Sequence, residues 1–271
     1  MICDNCSHKC DLEEGKSGIC HARSAKGHRI VCDNYGAVTS LALDPIEKKP
    51  LAMFRPGSVI LSAGSYGCNM RCPWCQNDSI SRGYVDADHM TPKELVDIAI
   101  ETRSRGNIGI AYTYNEPSVG YEFVYDCAKL AKENGLVNVM VTNGMLSRDR
   151  FDIITGYTDA FNIDLKTSDA KKYASIGGDL ALICDNIISA HRAGSHVELT
   201  TLVVPGFNDD EADFSRIADI VSGIDPKIPL HITRFFPAGR MRMAAPTGLD
   251  VLYSFRDIAK CSLSNVFLGN V

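Results

Sequence analysis

From Val59 to Val271, short apolar runs alternate with longer amphipathic ones. The short runs are Val59–Ser62, Ile108–Thr113, Val137–Val141, Ala160–Ile163, His196–Val204, Leu230–Thr233 and Val266–Leu268. Gly, Asn or Pro bounds them, and most are apolar at consecutive positions, as parallel strands buried on both faces are. The longer runs predict helices. Thr91-Pro92-Lys93-Glu94 has the form of a capping box with proline at the first helical position. Leu95, Ile98, Ala99 and Thr102 share one face of the helix that follows. Gly135 closes a helix that begins near Ser118, and Thr247-Gly248-Leu249-Asp250 marks another start. Repeated β-then-α units predict an α/β fold with a parallel sheet and right-handed crossovers. Six or seven units fall short of the eight that close a barrel, so an open or partial barrel is expected, with its chemistry at the carboxyl ends of the strands.

Before Val59 the pattern changes. Residues 1–26 hold four cysteines and two histidines, His8 and His21, with almost no apolar periodicity. Such a segment has no core of its own and calls for a metal staple. Two short strands are expected around Arg29–Cys32 and Val38–Leu43, followed by the charged turn Asp44-Pro45-Ile46-Glu47-Lys48-Lys49-Pro50. The expected division is a Cys-rich extension with its connecting segment over residues 1–57 and a barrel over 58–271.

Composition narrows the setting. With 45% hydrophobic and 23% charged residues the chain is not a disordered one. A formal net charge of −5 gives no support to a nucleic-acid substrate or an anionic-membrane surface. No apolar run approaches the roughly 18 residues of a membrane span. The start Met1-Ile2-Cys3-Asp4-Asn5-Cys6 has no apolar signal core, so a cytoplasmic location is expected. Eleven cysteines, an odd number in a chain of 271 residues, then favour metal or cluster binding over a disulfide scaffold.

Three of them, Cys68, Cys72 and Cys75, stand as C-x3-C-x2-C in a glycine-containing loop directly after the first strand of the regular region. Three closely spaced thiolates can hold three irons of a 4Fe–4S cluster and leave the fourth open to a small molecule. Structural zinc takes four protein ligands and fits this loop less well. With Trp74 just before the last cysteine, the loop resembles the signature of the radical S-adenosylmethionine (radical SAM) superfamily. That resemblance implies a cluster whose open iron chelates SAM. Its reduction cleaves SAM to methionine and a 5′-deoxyadenosyl radical that abstracts hydrogen from substrate. It also implies that Trp74 lies near the adenine.

The other strand ends carry further candidates. Tyr114-Asn115-Glu116-Pro117 follows the second strand, where superfamily members often have Gly-Gly-Glu-Pro with a carboxylate for the SAM ammonium. The glycines are replaced here, while Glu116 and Pro117 remain. Thr142-Asn143-Gly144 reads as a positive-φ turn or as a cofactor contact. Asp164-Leu165-Lys166 reads as a structural ion pair or as part of the SAM site. Asn208-Asp209-Asp210 reads as a helix cap. His231 reads as a packed polar residue or a SAM contact, and Arg234 as a candidate for substrate.

Cys-Gln-Asn after the triad, Tyr-Thr-Tyr-Asn-Glu-Pro, Val-Thr-Asn-Gly, Asn-Ile-Asp-Leu-Lys and Pro-Leu-His-Ile-Thr-Arg-Phe-Phe-Pro resemble one branch over nearly the whole chain. It is the radical SAM protein of the AmmeMemoRadiSam system, a group labelled as pyruvate formate-lyase activating enzyme homologues. The resemblance implies a partial (β/α)6 barrel with SAM-site positions at Asn115, Glu116, Thr142, Asn143, Asp164, Lys166 and His231. It further implies an electron donor such as a flavodoxin or ferredoxin and either a protein glycine or another molecule as substrate. Val141 stands where an activating enzyme has Asp, which puts a monovalent-cation site in doubt. The chain also ends without the short cysteine-containing tail expected of relatives.

Cys3, Cys6, Cys10 and Cys20 offer four thiolates that would close a zinc site or hold an auxiliary cluster, with zinc slightly favoured. Cys32, Cys127, Cys184 and Cys261 are isolated and read as small buried hydrophobes, Cys127 and Cys184 within helices. The competing reading from another class is a non-enzymatic iron–sulfur protein, which needs four protein ligands per cluster and no Glu116 or Lys166.

Overall fold

The computed structural model describes residues 1–83 and 85–271. Its elements are β1 (Arg23–Lys26), β2 (Arg29–Cys32), β3 (Ala37–Val38), β4 (Ser40–Pro45), β5 (Val59–Gly64), α1 (Asp78–Ser81), β6 (Asp88–His89), α2 (Pro92–Glu101) and β7 (Asn107–Tyr112). There follow α3 (Tyr121–Glu133), β8 (Val137–Thr142), α4 (Arg148–Thr155), β9 (Ala160–Asp164), α5 (Ala170–Ser175), α6 (Leu180–Arg192), β10 (His196–Val203), α7 (Glu211–Ile224), β11 (Leu230–Arg234), α8 (Leu249–Lys260) and β12 (Val266–Gly269).

The main sheet has the order β12-β11-β10-β9-β8-β7-β5-β4. From β5 to β12 every pairing is parallel and every neighbour is the next strand of the sheet in the chain, joined by a helical crossover. A parallel sheet wound in one direction, with β12 and β4 at its two edges, is the partial barrel that the alternating pattern predicts. β4 pairs antiparallel with β5 along its whole length, from Ser40↔Gly64 to Pro45↔Val59, so the connecting segment contributes the edge strand. The expected single strand Val38–Leu43 is interrupted at Thr39: β3 pairs with β6 and β4 joins the main sheet.

Helix boundaries follow the local chemistry. Thr91 and Glu94 form the reciprocal capping box. Leu95, Val96 and Ala99 are the buried residues of α2, while Ile98 is only partly covered. Asp210 caps α7 by accepting from the Asp213 amide. The α8 start falls within Thr247–Asp250, as expected. Thr247 is drawn inward to Val203 and Phe235, and Gly248 occupies the cap without a side-chain bond.

Two apolar groups lie on opposite faces of the sheet. Phe161, Ile163, Leu199, Leu230 and Ile232 meet the helices in the large core. Ile60, Ala111, Val139 and Ala160 meet Ile46 and Leu51 on the inner face. The segment predicted as a charged turn is therefore a plug: Ile46 and Leu51 are fully buried, and Asn162 donates to the Pro50 carbonyl at 2.8 Å.

Residues 1–26 have only a small core of Cys3, Leu12 and Ala25 and are clamped onto the barrel by polar contacts. Asn5 Nδ2 donates to the Ser118 carbonyl, the Ser147 amide donates to the Asn5 carbonyl, and Arg23 makes a two-pronged pair with Glu122 at 2.5 and 2.7 Å. None of the eleven cysteines is joined in a disulfide. Cys127 is buried within α3 and Cys184 half-buried within α6, but Cys261 is exposed and so departs from the expectation of a buried hydrophobe. Among the described residues, no helix is long and apolar enough to cross a membrane.

Candidate active site

β5 ends at Gly64, and the chain turns directly into the cysteine loop. Asn115 holds that turn: its Oδ1 accepts from the Ser65 amide at 2.9 Å, and its Nδ2 donates to the carbonyls of Tyr66 and Gly67 at 3.0 and 3.1 Å. Both ends of the Asn115 side chain are thus committed to backbone. Tyr114 has φ +71°, a left-handed conformation that glycine enters at little cost. The replacement of glycine here is anchored by Tyr114 Oη, which donates to buried Asp44 at 2.9 Å.

Gly67, with φ +91°, packs against the N-terminal segment. A Cβ there would lie 2.7 Å from the Cys20 carbonyl oxygen and 2.8 Å from the Ala22 Cβ. The adjacent Cys68 amide donates to that same carbonyl at 3.2 Å. Gly67→Ala is expected to cost about 3 kcal/mol or more, from left-handed strain and overpacking together, read as a lowered unfolding midpoint in urea.

The Cys68 sulfur lies 3.4 Å from the Met70 amide and 3.8 Å from Asn143 Nδ2. Cys75 Sγ lies 3.8 Å from Ser81 Oγ. Burial, with the nearby Glu116 charge adding to it, pushes the Cys68 thiol well above its ordinary range. Burial also raises Cys72, against the pull of Lys166. Among the described residues, no three His, Cys, Asp or Glu side chains are gathered tightly enough for a single metal ion. The three thiols still lie within electrostatic reach of one another.

Glu116 is buried and braces the ends of β7 and β8. One oxygen accepts from Thr142 Oγ1 at 2.6 Å and the Ser118 amide at 3.0 Å, and the other from the Asn143 amide at 2.7 Å. Burial raises its pKa, with these donors pulling the other way. Asn143 Nδ2 continues the network to Asn69 Oδ1 at 2.8 Å, within the cysteine loop. Gly144 supplies the positive φ, +74°, that the Asn-Gly pair predicts.

Asp164 and Lys166 pair at 2.7 Å at the end of β9. Burial presses the Lys166 pKa down, but the Asp164 and Cys72 charges outweigh it and hold the ammonium firmly protonated. Register places Asp164, Thr200 and His231 at one level across β9, β10 and β11. His231 Nε2 donates to Glu198 at 2.6 Å and its ring stacks on Phe267. Trp74 is buried, 4.5 Å between ring centroids from Phe207 in the loop after β10. Arg234 stands apart from the others: its Nε donates to the Thr247 carbonyl at 2.8 Å and its guanidinium lies over Phe236.

In the N-terminal segment, Cys6 lies within electrostatic reach of Cys10 and Cys20, and Cys20 of Cys3 and Cys10. Burial pushes the Cys6 thiol up to about 11. His8 Nε2 donates to the Asn69 carbonyl at 2.7 Å, so this segment and the cysteine loop share a bonded seam.

Three groups that sequence reasoning did not single out matter here. Glu198 and Asn69 have partners remote in sequence, and Asp44, paired with Lys49 five residues on, also accepts from remote Tyr114. The signal for Glu198 and Lys49 was a charge beside buried apolar positions; for Asn69 it was only its place inside the triad.

Comparison with known proteins adds three findings. The radical SAM superfamily profile matches residues 63–216. An uncharacterized protein of Methanocaldococcus jannaschii is 38% identical over 99% of this chain and 81% of its own length. A pyruvate formate-lyase-activating enzyme of Clostridium pasteurianum is 25% identical over 71% of this chain and 80% of its own. The solved structure of a radical SAM methyltransferase from Sphaerobacter thermophilus shares the fold, with a TM-score of 0.60 at 17% identity, covering 80% of this chain and 67% of that one.

Proposed function

Because the chain belongs to the radical SAM superfamily and is therefore an enzyme, we propose that Cys68, Cys72 and Cys75 hold a 4Fe–4S cluster whose remaining iron is left for SAM. Bound together, these groups supply the reductive cleavage that yields a 5′-deoxyadenosyl radical for hydrogen abstraction from substrate. The observation that carries this reading is the three-cysteine loop at the end of β5, facing the charged residues Lys166 and Glu116 from neighbouring strand ends.

The chain's own residues have separable parts in it. Lys166 sets a fixed positive charge beside Cys72, which favours the thiolate form. Glu116 uses three of its roughly four acceptor positions on Thr142, Ser118 and Asn143, leaving one for the SAM ammonium. Asn115, Thr142 and Asn143 hold the loop and the Glu116 carboxylate in place rather than offering free donors of their own. Asp164 and His231 face the barrel interior at one level and are assigned to the SAM site. Trp74, packed on Phe207, closes the loop side against water and serves the adenine. Arg234 is assigned to substrate. Cys3, Cys6, Cys10 and Cys20 are assigned a second metal centre, zinc or an auxiliary cluster. The electron comes from a flavodoxin or ferredoxin, and the site of action is the cytoplasm.

A protein glycine is the second reading for the substrate. It rests on the relative named a pyruvate formate-lyase-activating enzyme. Deuterium transfer from a labelled glycyl-radical enzyme into 5′-deoxyadenosine would separate it from a small-molecule substrate.

The test is anaerobic reconstitution with iron and sulfide, followed by SAM and a strong reductant. Formation of 5′-deoxyadenosine is expected. Its absence, together with a reduced-cluster EPR spectrum that SAM leaves unchanged, would return the chain to the non-catalytic reading.

A further inference from the structure

Beside the cysteine loop, three guanidinium groups converge on one open cavity of about 370 Å³, lined by Arg71, Asp78, Arg82 and Arg240. They come from three separate segments: the triad itself, the end of α1 and the turn after β11. Each is held in place. Arg82 donates through Nε to Asp78 at 2.6 Å and through Nη2 to the Cys72 carbonyl at 2.8 Å. The Arg240 amide donates to the Pro73 carbonyl at 2.8 Å, and its Nη2 reaches the Arg71 carbonyl at 3.4 Å. Arg71 Nη2 donates to the Ile19 carbonyl and to His21 Nε2. Gly239 lets this packing form, since a Cβ there would lie 2.7 Å from the Pro73 carbonyl oxygen.

The charge does not balance within the protein. The three arginines lining the cavity meet one carboxylate there, Asp78, which Arg82 already engages. Arg71 Nη1 is buried with no partner. This occurs in a chain of formal net charge −5, so the convergence runs against the overall composition. Like charges held together repel, and the repulsion is relieved when an anion sits among them. Planar guanidinium forks match the oxygens of a phosphate.

We propose that this cavity binds a phosphate-bearing small molecule through Arg71, Arg82 and Arg240. A shallow depression of a few hundred Å³ leaves room for a small anion, whereas a protein partner needs a broad surface of roughly 800 Å² a side. Arg82 and Arg240 are anchored on the Cys72 and Pro73 carbonyls, so occupancy of the cavity is felt by the loop that carries the triad. The proposal goes beyond the SAM reading and stands without it, because the arginines are placed by the fold itself.

Isothermal titration of the reconstituted, desalted protein with inorganic phosphate tests it. One saturable site is expected, weakening as salt rises. Arg240→Gln and Arg82→Gln are each expected to weaken binding about tenfold, the loss of one charge-assisted pair. Lys93→Gln, on the exposed face of α2, leaves binding unchanged. Iron content and thermal midpoint are read on every variant, and Arg240, being exposed, is the one whose loss leaves the fold intact. Three outcomes overturn the proposal. One is no saturable phosphate binding, or binding that survives both substitutions. Another is variants that lose iron while phosphate never bound, which assigns the arginines to offsetting cluster charge. The third is an acidic ferredoxin, and not phosphate, binding in a way that needs these arginines, which makes the cavity part of a protein-docking face.

Discussion

Cys72→Ala is expected to reduce 5′-deoxyadenosine formation to background and to remove about four irons per chain, the content of one 4Fe–4S cluster. The reason is local. Cys72 lies within electrostatic reach of Cys68, Cys75 and Lys166, and its loss would leave the proposed cluster two of its three thiolates. Cys127→Ala is the matched control. That thiol is buried in α3, away from both cysteine groups, and its removal costs about 1 kcal/mol in packing while iron and activity persist. Metal counted on the same samples resolves the N-terminal centre. About four irons and one zinc in the parent protein assign zinc to Cys3, Cys6, Cys10 and Cys20, and about eight irons assign a second cluster. A Cys72→Ala protein that keeps full iron and activity would remove the triad from the chemistry.

The second large effect lies deep in the barrel. Glu198 is fully buried and accepts four hydrogen bonds, from His231 at 2.6 Å, His196 at 2.8 Å, and the Ala52 and Met53 amides at 2.9 and 2.8 Å. Burial acts to raise its pKa, but these donors prevail and hold it down at about 2. A carboxyl group depressed in this way stabilises the fold fully above its unfolded pKa, near 4.5. That stability is lost as pH falls from there through about 2. The shift corresponds to about 3 kcal/mol. Glu198→Gln keeps the shape but replaces one acceptor oxygen with a donor facing donors, and is expected to lower the thermal midpoint by about 5–10 °C at neutral pH. Its acid unfolding should also lose the step between pH 4.5 and 2. An unchanged midpoint and acid profile would mean that the plug at residues 46–54 is held by Ile46 and Leu51 alone.

The two predictions concern different kinds of legibility. The triad was readable because its three cysteines lie within eight residues of sequence and the loop geometry is local. The alternating strands and helices were readable for the same reason: period and capping are properties of neighbouring residues, and Thr91 with Glu94 needs nothing else. Glu198 was not readable, because its four partners come from three places in the chain and its meaning depends on which face of β10 is interior. The turn at residues 44–50 was legible as a turn, but its role as a plug was not, for a related reason. Its charges are what composition sees, but Ile46 and Leu51 are what the barrel uses.

The sequence alone thus determined the α/β alternation, the partial barrel and the superfamily that its cysteine loop resembles, all of which are set by short-range pattern. Tertiary structure decided the rest. It made Asn115 a staple of the loop, closed the barrel floor with residues 46–54 and put the Cys20 carbonyl on the Cys68 amide. It also drew Arg71, Arg82 and Arg240 around one cavity. Each of these joins residues that the chain keeps apart, and the hydrogen bond or charge that gives each its role exists only after the strands have brought them together.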